Sequence, residues 1–168
     1  MDLPDLHRLS ALELIASYKR GDVSPVEVTE SILDRIEELN PRLNVYVTVT
    51  ADLARKHARE AEKVYAEDVT PAPLAGVPGS LKDLTSTKGI RTAKGSLLHK
   101  DWIPDYDAPL AERLFKAGWS CLGRPTPLNW DGKGTRTTAS LDPRTIPGNM
   151  AKRRVDPAAE LRRRSHPA

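Results

Sequence analysis

The sequence predicts an α/β fold with a helical N-terminal layer, the start of a mixed or parallel sheet, and an irregular C-terminal tail. Three patterns support this prediction. Two helix-start signals open apolar-periodic segments before residue 40, an alanine-rich segment follows a short apolar strand, and a strand–loop–helix–strand pattern ends near residue 123. A crossover of the last kind connects strands that run parallel in one sheet.

Two helices are predicted at the N-terminal end. Ser10, followed three residues later by Glu13, forms a capping box, and Gly21 is typical of the end of the helix that it opens. Ser24 and Glu27 repeat the signal, with a proline at the first helical position. The apolar residues of this second helix recur at spacings of four and three: Val28, Ile32, Ile36 and Leu39.

A strand and an alanine-rich helix are predicted next. Residues 44–49 read N-V-Y-V-T-V, a short apolar run with the β-branched residues that strands favour. Either Thr50 or Asp52 is suited to cap the following helix. Its small residues are spaced so that the helix can pack closely on a neighbour: Ala51, Ala54, Ala58 and Ala61.

The crossover unit occupies the region after residue 70. Asp107 is predicted to cap a helix over residues 108–116, which Gly118 ends, and residues 119–122 are predicted to form a buried strand. Cys121, the single cysteine of the chain, is expected to be a small buried hydrophobic residue of that strand. Before the helix come a proline-rich connector at 70–78, a strand around residue 82 and a polar loop at 85–95.

Lys82 is the candidate catalytic residue because of its place in a strand-like run. The run spans residues 74–87 and reads L-A-G-V-P-G-S-L-K-D-L-T-S-T, so alternation places Ser80 and Lys82 on one face. A lysine that faces a core is partnered or loses its charge, and a neutral lysine is a general base. The alternative is an edge strand with a solvated lysine that pairs with Asp83.

The same run resembles the lysine-bearing strand of the amidase signature family. The resemblance continues through T-K-G-I-R-T at 87–92, A-K-G-S at 93–96 and D-Y-D-A-P-L-A-E-R-L at 105–114. It covers residues 5 to about 123. Gly79 departs from the pattern, because the family usually has a larger residue at this position.

The resemblance implies the amidase signature fold and amide hydrolysis by Ser–Ser–Lys chemistry, with Lys82 as the family lysine. In such sites the neutral lysine takes a proton from a bridging serine, which activates the nucleophilic serine. Backbone N–H groups of a glycine-rich loop stabilise the oxyanion, and one such donor is typically worth about 3 kcal/mol. The implied partner is a small amide substrate, and no cofactor is expected. The four histidines lack metal-ligand spacing, so no metal site is expected either.

The net charge of +3 comes from the C-terminal tail. From Arg136 onward, eight basic residues against three acidic ones give +5, which leaves −2 for the rest of the chain. Nucleic acid is not an expected partner, because no aromatic side chain for base stacking follows Trp130. The sequence contains no apolar run of membrane-spanning length and does not start with a signal-peptide pattern, so we expect a cytoplasmic protein without a membrane partner.

The tail does not continue the family pattern, and a reading-frame shift explains why. In the family the strand should lead to T-N-T-P-E and then to a G-G-S-S-G-G loop. A single shift, taking the third base of each codon with the first two of the next, allows residues 124–133 to read T-N-T-P-E-L-G-W-K. It also allows residues 142–148 to read P-T-H-N-P-W, and residues 155–166 to read G-S-S-G-G-A-A-A-A-V-A. We therefore infer a frameshift near Arg124, in the gene or in its sequencing.

Two regions follow from this inference. Residues 1–123 form the N-terminal part of an amidase signature domain, and residues 124–168 form a basic tail that is expected to be disordered. The chain is then a truncated hydrolase without its serine loop, and we expect it to be inactive by itself. Two alternatives remain: a fragment of the A-type subunit of a glutamine-hydrolysing amidotransferase, and a non-catalytic module that binds acidic partners through its tail.

The coding DNA provides a direct test of the frameshift. The shifted frame should be open from the Arg124 codon onward and should encode a G-G-S-S-G-G loop beginning at the codons of Arg154 and Val155. Sequencing of the genomic DNA from residue 120 to beyond the present stop codon measures this. Early stop codons in the shifted frame, or a different loop sequence, would exclude the frameshift.

Overall fold

The computed structural model describes residues 6–67 and 69–126, so most of the predicted tail lies outside the described residues. Among the described residues, no helix has the length and apolar character needed to cross a lipid bilayer. The helices are α1 (Ala11–Arg20), α2 (Pro25–Leu43), α3 (Ala51–Ala66) and α4 (Pro109–Lys116), with short 3-10 helices at Leu6–Arg8 and Leu97–His99. The strands are β1 (Tyr46–Val49), β2 (Pro78–Ser80) and β3 (Ser120–Pro125).

Both predicted capping boxes are present. The backbone N–H of Ser10 donates to Glu13 Oε2 at 2.7 Å, and the N–H of Glu13 donates to Ser10 Oγ at 3.3 Å. Ser24 and Glu27 make the same reciprocal pair at the start of α2, at 2.7 and 3.1 Å. Gly21 ends α1 in the left-handed conformation. The boundaries of both helices are thus set by contacts within four residues of the chain, as the sequence predicts.

The two other predicted caps are wrong, because both side chains bond elsewhere. Thr50 precedes α3 but makes no side-chain cap; its Oγ1 donates to the carbonyl of Cys121 at 2.9 Å and so ties the helix start to β3. Asp107 does not cap α4, which begins after Ala108. Its carboxylate accepts the backbone N–H of Lys88 at 2.8 Å. In each case a tertiary contact has replaced the local one.

Strand β3 lies at the centre of a three-stranded sheet of order β1-β3-β2. It pairs antiparallel with β1 and parallel with β2, with Ser80 opposite Gly123. The parallel pair is joined through α4, which confirms the predicted crossover and the mixed sheet. Two boundaries differ from the predicted ones: β2 ends at Ser80, before the predicted strand around Lys82, and β3 continues to Pro125, past the expected boundary at residue 123.

The helices cover the sheet through small side chains. Ala54 and Ala58 of α3 are fully buried, and the Ser120 hydroxyl donates to the carbonyl of Ala54 at 3.0 Å. Cys121 is also fully buried, as predicted, and burial raises the pKa of its thiol. It belongs to a core cluster completed by Leu81, Ile90, Ala111 and Trp119.

Trp119 explains the glycine at position 79. A Cβ atom added at Gly79 would lie 3.0 Å from Trp119 Cε2 and nearer still to Nε1 of the indole. The indole is 7% exposed and is packed on Phe115, with ring centroids 5.9 Å apart. The indole therefore occupies the space into which a larger residue at position 79 would extend.

Gly79→Ala should destabilise the chain by about 1–3 kcal/mol, the usual cost of overpacking a core. In the Trp119→Phe background the same change should cost less, because the phenyl ring lacks the indole atoms nearest to the new methyl group. Urea unfolding of the four proteins in this double-mutant cycle measures the coupling. Gly21→Ala is the control: its Cβ meets no atom within 4 Å, so it should show no coupling to Trp119. Equal costs of Gly79→Ala in both backgrounds would contradict the contact.

His57 lies between α3 and α4 in a half-buried position. Its ring meets Phe115 edge-on, with centroids 5.6 Å apart. Both residues line a cleft of about 220 Å³ together with Trp119. Within the described residues, His57 Nδ1 has no hydrogen-bond partner. Burial lowers the pKa of His57, an effect that the nearby Glu60 partly opposes.

The lowered pKa of His57 predicts a loss of stability in mild acid. Its folded-state pKa lies below the unfolded value of about 6.5, so its contribution is complete above that pH. The contribution is lost as the pH falls through the folded-state pKa. His57→Gln should therefore flatten the decline in unfolding free energy between about pH 7 and 5. Urea titrations at stepwise pH measure this, with His99→Gln, which removes an exposed histidine, as control. An unchanged slope in His57→Gln would contradict the prediction.

Candidate functional site

Lys82 lies two residues beyond strand β2, at the start of a turn. Its carbonyl oxygen accepts the backbone N–H groups of Leu84 at 2.7 Å and Thr85 at 3.0 Å. The residues on either side of it bond to β3: Leu81 N donates to the Gly123 carbonyl, and Asp83 N to the Pro125 carbonyl. The main chain of Lys82 is therefore held against the central strand although β2 has already ended.

The side chain of Lys82 is exposed, and the expectation of a buried amine is wrong for the part of the chain that the structure describes. Alternation continues past the strand end, so Leu81 and Asp83 take the inward positions, at 4% and 1% exposure. The lysine consequently faces outward. The alternative prediction of a solvated lysine fits this placement, but its proposed partner does not, because Asp83 pairs with Arg124.

Ser80 shares the sheet region with Tyr46, which reaches it across the central strand. Tyr46 Oη and Ser80 Oγ are 2.7 Å apart. The ring passes over Gly123, where an added Cβ would lie 3.1 Å from Tyr46 Cδ1. Asn40 fixes the main chain of Tyr46 through two hydrogen bonds, at 3.1 and 2.8 Å. Ser80 is thus half-buried and engaged by a phenol, which supports a structural role for its hydroxyl.

A buried ion pair lies beneath the turn that Lys82 opens. Arg124 Nε is 3.7 Å from Asp83 Oδ1, and both side chains are at most 1% exposed. Asp83 also accepts the N–H of Ala93, at 3.0 and 3.2 Å from its two oxygens. Burial raises the pKa of Asp83, and the positive charge of Arg124 opposes that shift. Burial likewise lowers the pKa of Arg124.

The guanidinium of Arg124 also gathers a loop. It donates to Thr87 Oγ1, to the carbonyl of Thr85 and, at 3.2 Å, to Thr92 Oγ1. The sequence interpretation missed Arg124, since it assigned this residue to the tail. Its position directly after the apolar run at 119–122 was the available signal, because an arginine that continues a buried strand needs an internal partner.

The described residues bring one amine and two kinds of hydroxyl to this part of the sheet. Lys82 supplies an exposed amine, Ser80 and Tyr46 a bonded hydroxyl pair, and the threonines a buried cluster around Arg124. Within residues 6–67 and 69–126, no serine is hydrogen-bonded to Lys82, so the nucleophile of a Ser–Ser–Lys site is not assembled here. The predicted serine loop falls on residues outside the described part.

Sequence comparison places this geometry among known proteins. Residues 27–141 match the family model described as Amidase. The chain is 42% identical over 136 residues to the A-type subunit of the glutamyl-tRNA(Gln) amidotransferase of Carboxydothermus hydrogenoformans, covering 81% of this chain and 28% of that protein. The corresponding protein of Moorella thermoacetica is 42% identical over 127 residues, with 76% and 26% covered. The chain thus spans about a quarter of the length of these relatives.

Solved structures agree in fold. The peptide amidase of Stenotrophomonas maltophilia superposes with a TM-score of 0.67 at 31% identity, covering 73% of this chain and 26% of that one. Fatty acid amide hydrolase superposes with a TM-score of 0.68 at 27% identity, covering 75% and 23%. The helical layer and mixed sheet described above are therefore the arrangement that these hydrolases share with this chain.

Proposed function

Because the chain belongs to the amidase signature family, we propose that Lys82 is the proton-accepting residue of a Ser–Ser–Lys amide hydrolase, of which this chain carries the N-terminal part. The observation that carries the proposal is the anchoring of Lys82 at the edge of the sheet. Its main chain is fixed on β3 through Leu81 and Asp83, while its side chain remains free to meet a further element.

Exposure of the amine fits this proposal once the serine loop is considered. A Ser–Ser–Lys site needs the lysine to be desolvated, so that its neutral form is available near neutral pH. Burial of that kind has to come from an element laid over the outward face of Lys82, because its inward neighbours belong to the core. A serine loop of the predicted G-G-S-S-G-G type would supply the cover, the two hydroxyls and the oxyanion donors together.

The substrate is an amide, and one comparison favours a particular class. Relatives named as A-type components of an amidotransferase reach 42% identity, against 31% for the peptide amidase. The second candidate is therefore hydrolysis of the glutamine side-chain amide to release ammonia. In that case we expect partner proteins, because those relatives are named as one component of a larger enzyme.

The test compares the present chain with a protein made from the frame-restored gene. The present chain should not turn over an aryl amide or glutamine, because it lacks the serine loop. The restored protein should hydrolyse one of them, and Lys82→Met should reduce kcat by about 10²–10⁴-fold, the usual contribution of a general base. Aryl-amine release and ammonia release distinguish the two substrates.

Lys88→Met is the matched control, because Lys88 is another exposed lysine in the neighbouring loop. It should leave kcat of the restored protein unchanged. Full activity of Lys82→Met would refute the proposed role. Turnover by the present chain that depends on Lys82 would refute the expected inactivity.

A further inference from the structure

The ion pair of Asp83 and Arg124 is buried to a degree that requires a reason. The two side chains are 1% and 0% exposed, and their charged atoms are 3.7 Å apart. Arg124 Nε, the nearest guanidinium atom to Asp83, has no hydrogen-bond partner among the residues that the structure describes. Buried pairs with incomplete hydrogen bonding often stabilise a fold no better than apolar residues of the same volume. Stability alone is therefore a weak explanation for this pair.

Asp83 connects three pieces of main chain. Its N–H donates to the Pro125 carbonyl at 3.1 Å, and its carbonyl accepts the N–H of Lys94 at 3.0 Å. Its carboxylate accepts the N–H of Ala93. The residue that directly follows Lys82 is therefore fixed both to the end of β3 and to the far side of the loop that follows the turn.

Arg124 holds the same turn from the other side. Its guanidinium bonds to the Thr85 carbonyl, the residue whose N–H closes the turn on the Lys82 carbonyl. It also bonds to the hydroxyls of Thr87 and Thr92, and so fixes the two ends of the intervening loop. A planar guanidinium suits this task, because its donors are fixed in direction.

We infer that Asp83 and Arg124 are positioning residues that fix the turn carrying Lys82, so that an exposed lysine keeps one main-chain geometry. The inference rests on the proposed role of Lys82. Neither residue meets substrate, since both are buried under the turn. Their contribution to hydrolysis would be the direction in which the Lys82 side chain leaves the sheet, because productive geometry is sensitive to small displacements.

The experiment separates local order from overall stability in the present chain. The double variant Asp83→Asn with Arg124→Met removes both charges and keeps similar volumes. Amide hydrogen exchange is read at Leu84 and Thr85, whose N–H groups bond to Lys82, and at Ala54 inside α3 as a reference for global opening. Exchange at the two turn amides should become roughly tenfold faster or more, with Ala54 and the urea midpoint little changed.

A second readout concerns the lysine itself. After ¹³C-dimethylation of lysine amines, the Lys82 resonance should shift or broaden in the double variant, whereas that of Lys56 on α3 should not. Arg20→Gln, which breaks an exposed ion pair with Asp22, is the control and should change neither readout. These readouts do not involve activity, so they test the positioning role even where Lys82 proves not to be catalytic.

A second variant is used if the double variant does not fold. Arg124→Lys keeps the buried charge and loses the planar set of donors, and it should also speed exchange at Leu84 and Thr85 relative to Ala54. Turn amides that exchange within about twofold of the parent, or that change only in parallel with Ala54, would overturn the inference.

Discussion

Every part of the described fold depends on the pairing of the central strand β3. The strand is buried over most of its length, and it bonds antiparallel to β1 and parallel to β2. It also accepts the Thr50 hydroxyl at the start of α3 and the amides that flank Lys82. Because one strand satisfies all these groups, its register fixes the sheet, the start of one helix and the candidate site together.

The polar groups of β3 give the site its character. Arg124 continues the buried strand and pairs with Asp83, so a charged network lies where an apolar core is the usual solution. Gly123 leaves room for the ring of Tyr46, which joins β1 to Ser80 on β2 across the strand between them. The inner side of the sheet edge is consequently crowded and bonded, whereas Lys82 on its outer side is exposed.

Prediction from sequence succeeded where the determining contacts are local and failed where they are distant. The capping boxes of Ser10 and Ser24 close within three residues, and both are present. Thr50 and Asp107 have the same local signal, yet each bonds to a partner far away in the chain. Gly79 was recognised as a departure from the family pattern, but its cause, the indole of Trp119, lies forty residues later.

The sequence by itself determined the helices, the crossover between parallel strands, the family and the identity of the candidate lysine. These follow from short-range periodicity and from motif order, which a single chain displays directly. The tertiary structure alone decided that Lys82 faces outward, that Asp83 pairs with Arg124, and that Tyr46 reaches Ser80. Each of these outcomes depends on strand ends and strand register, which are set by the competition of distant groups for the edges of β3.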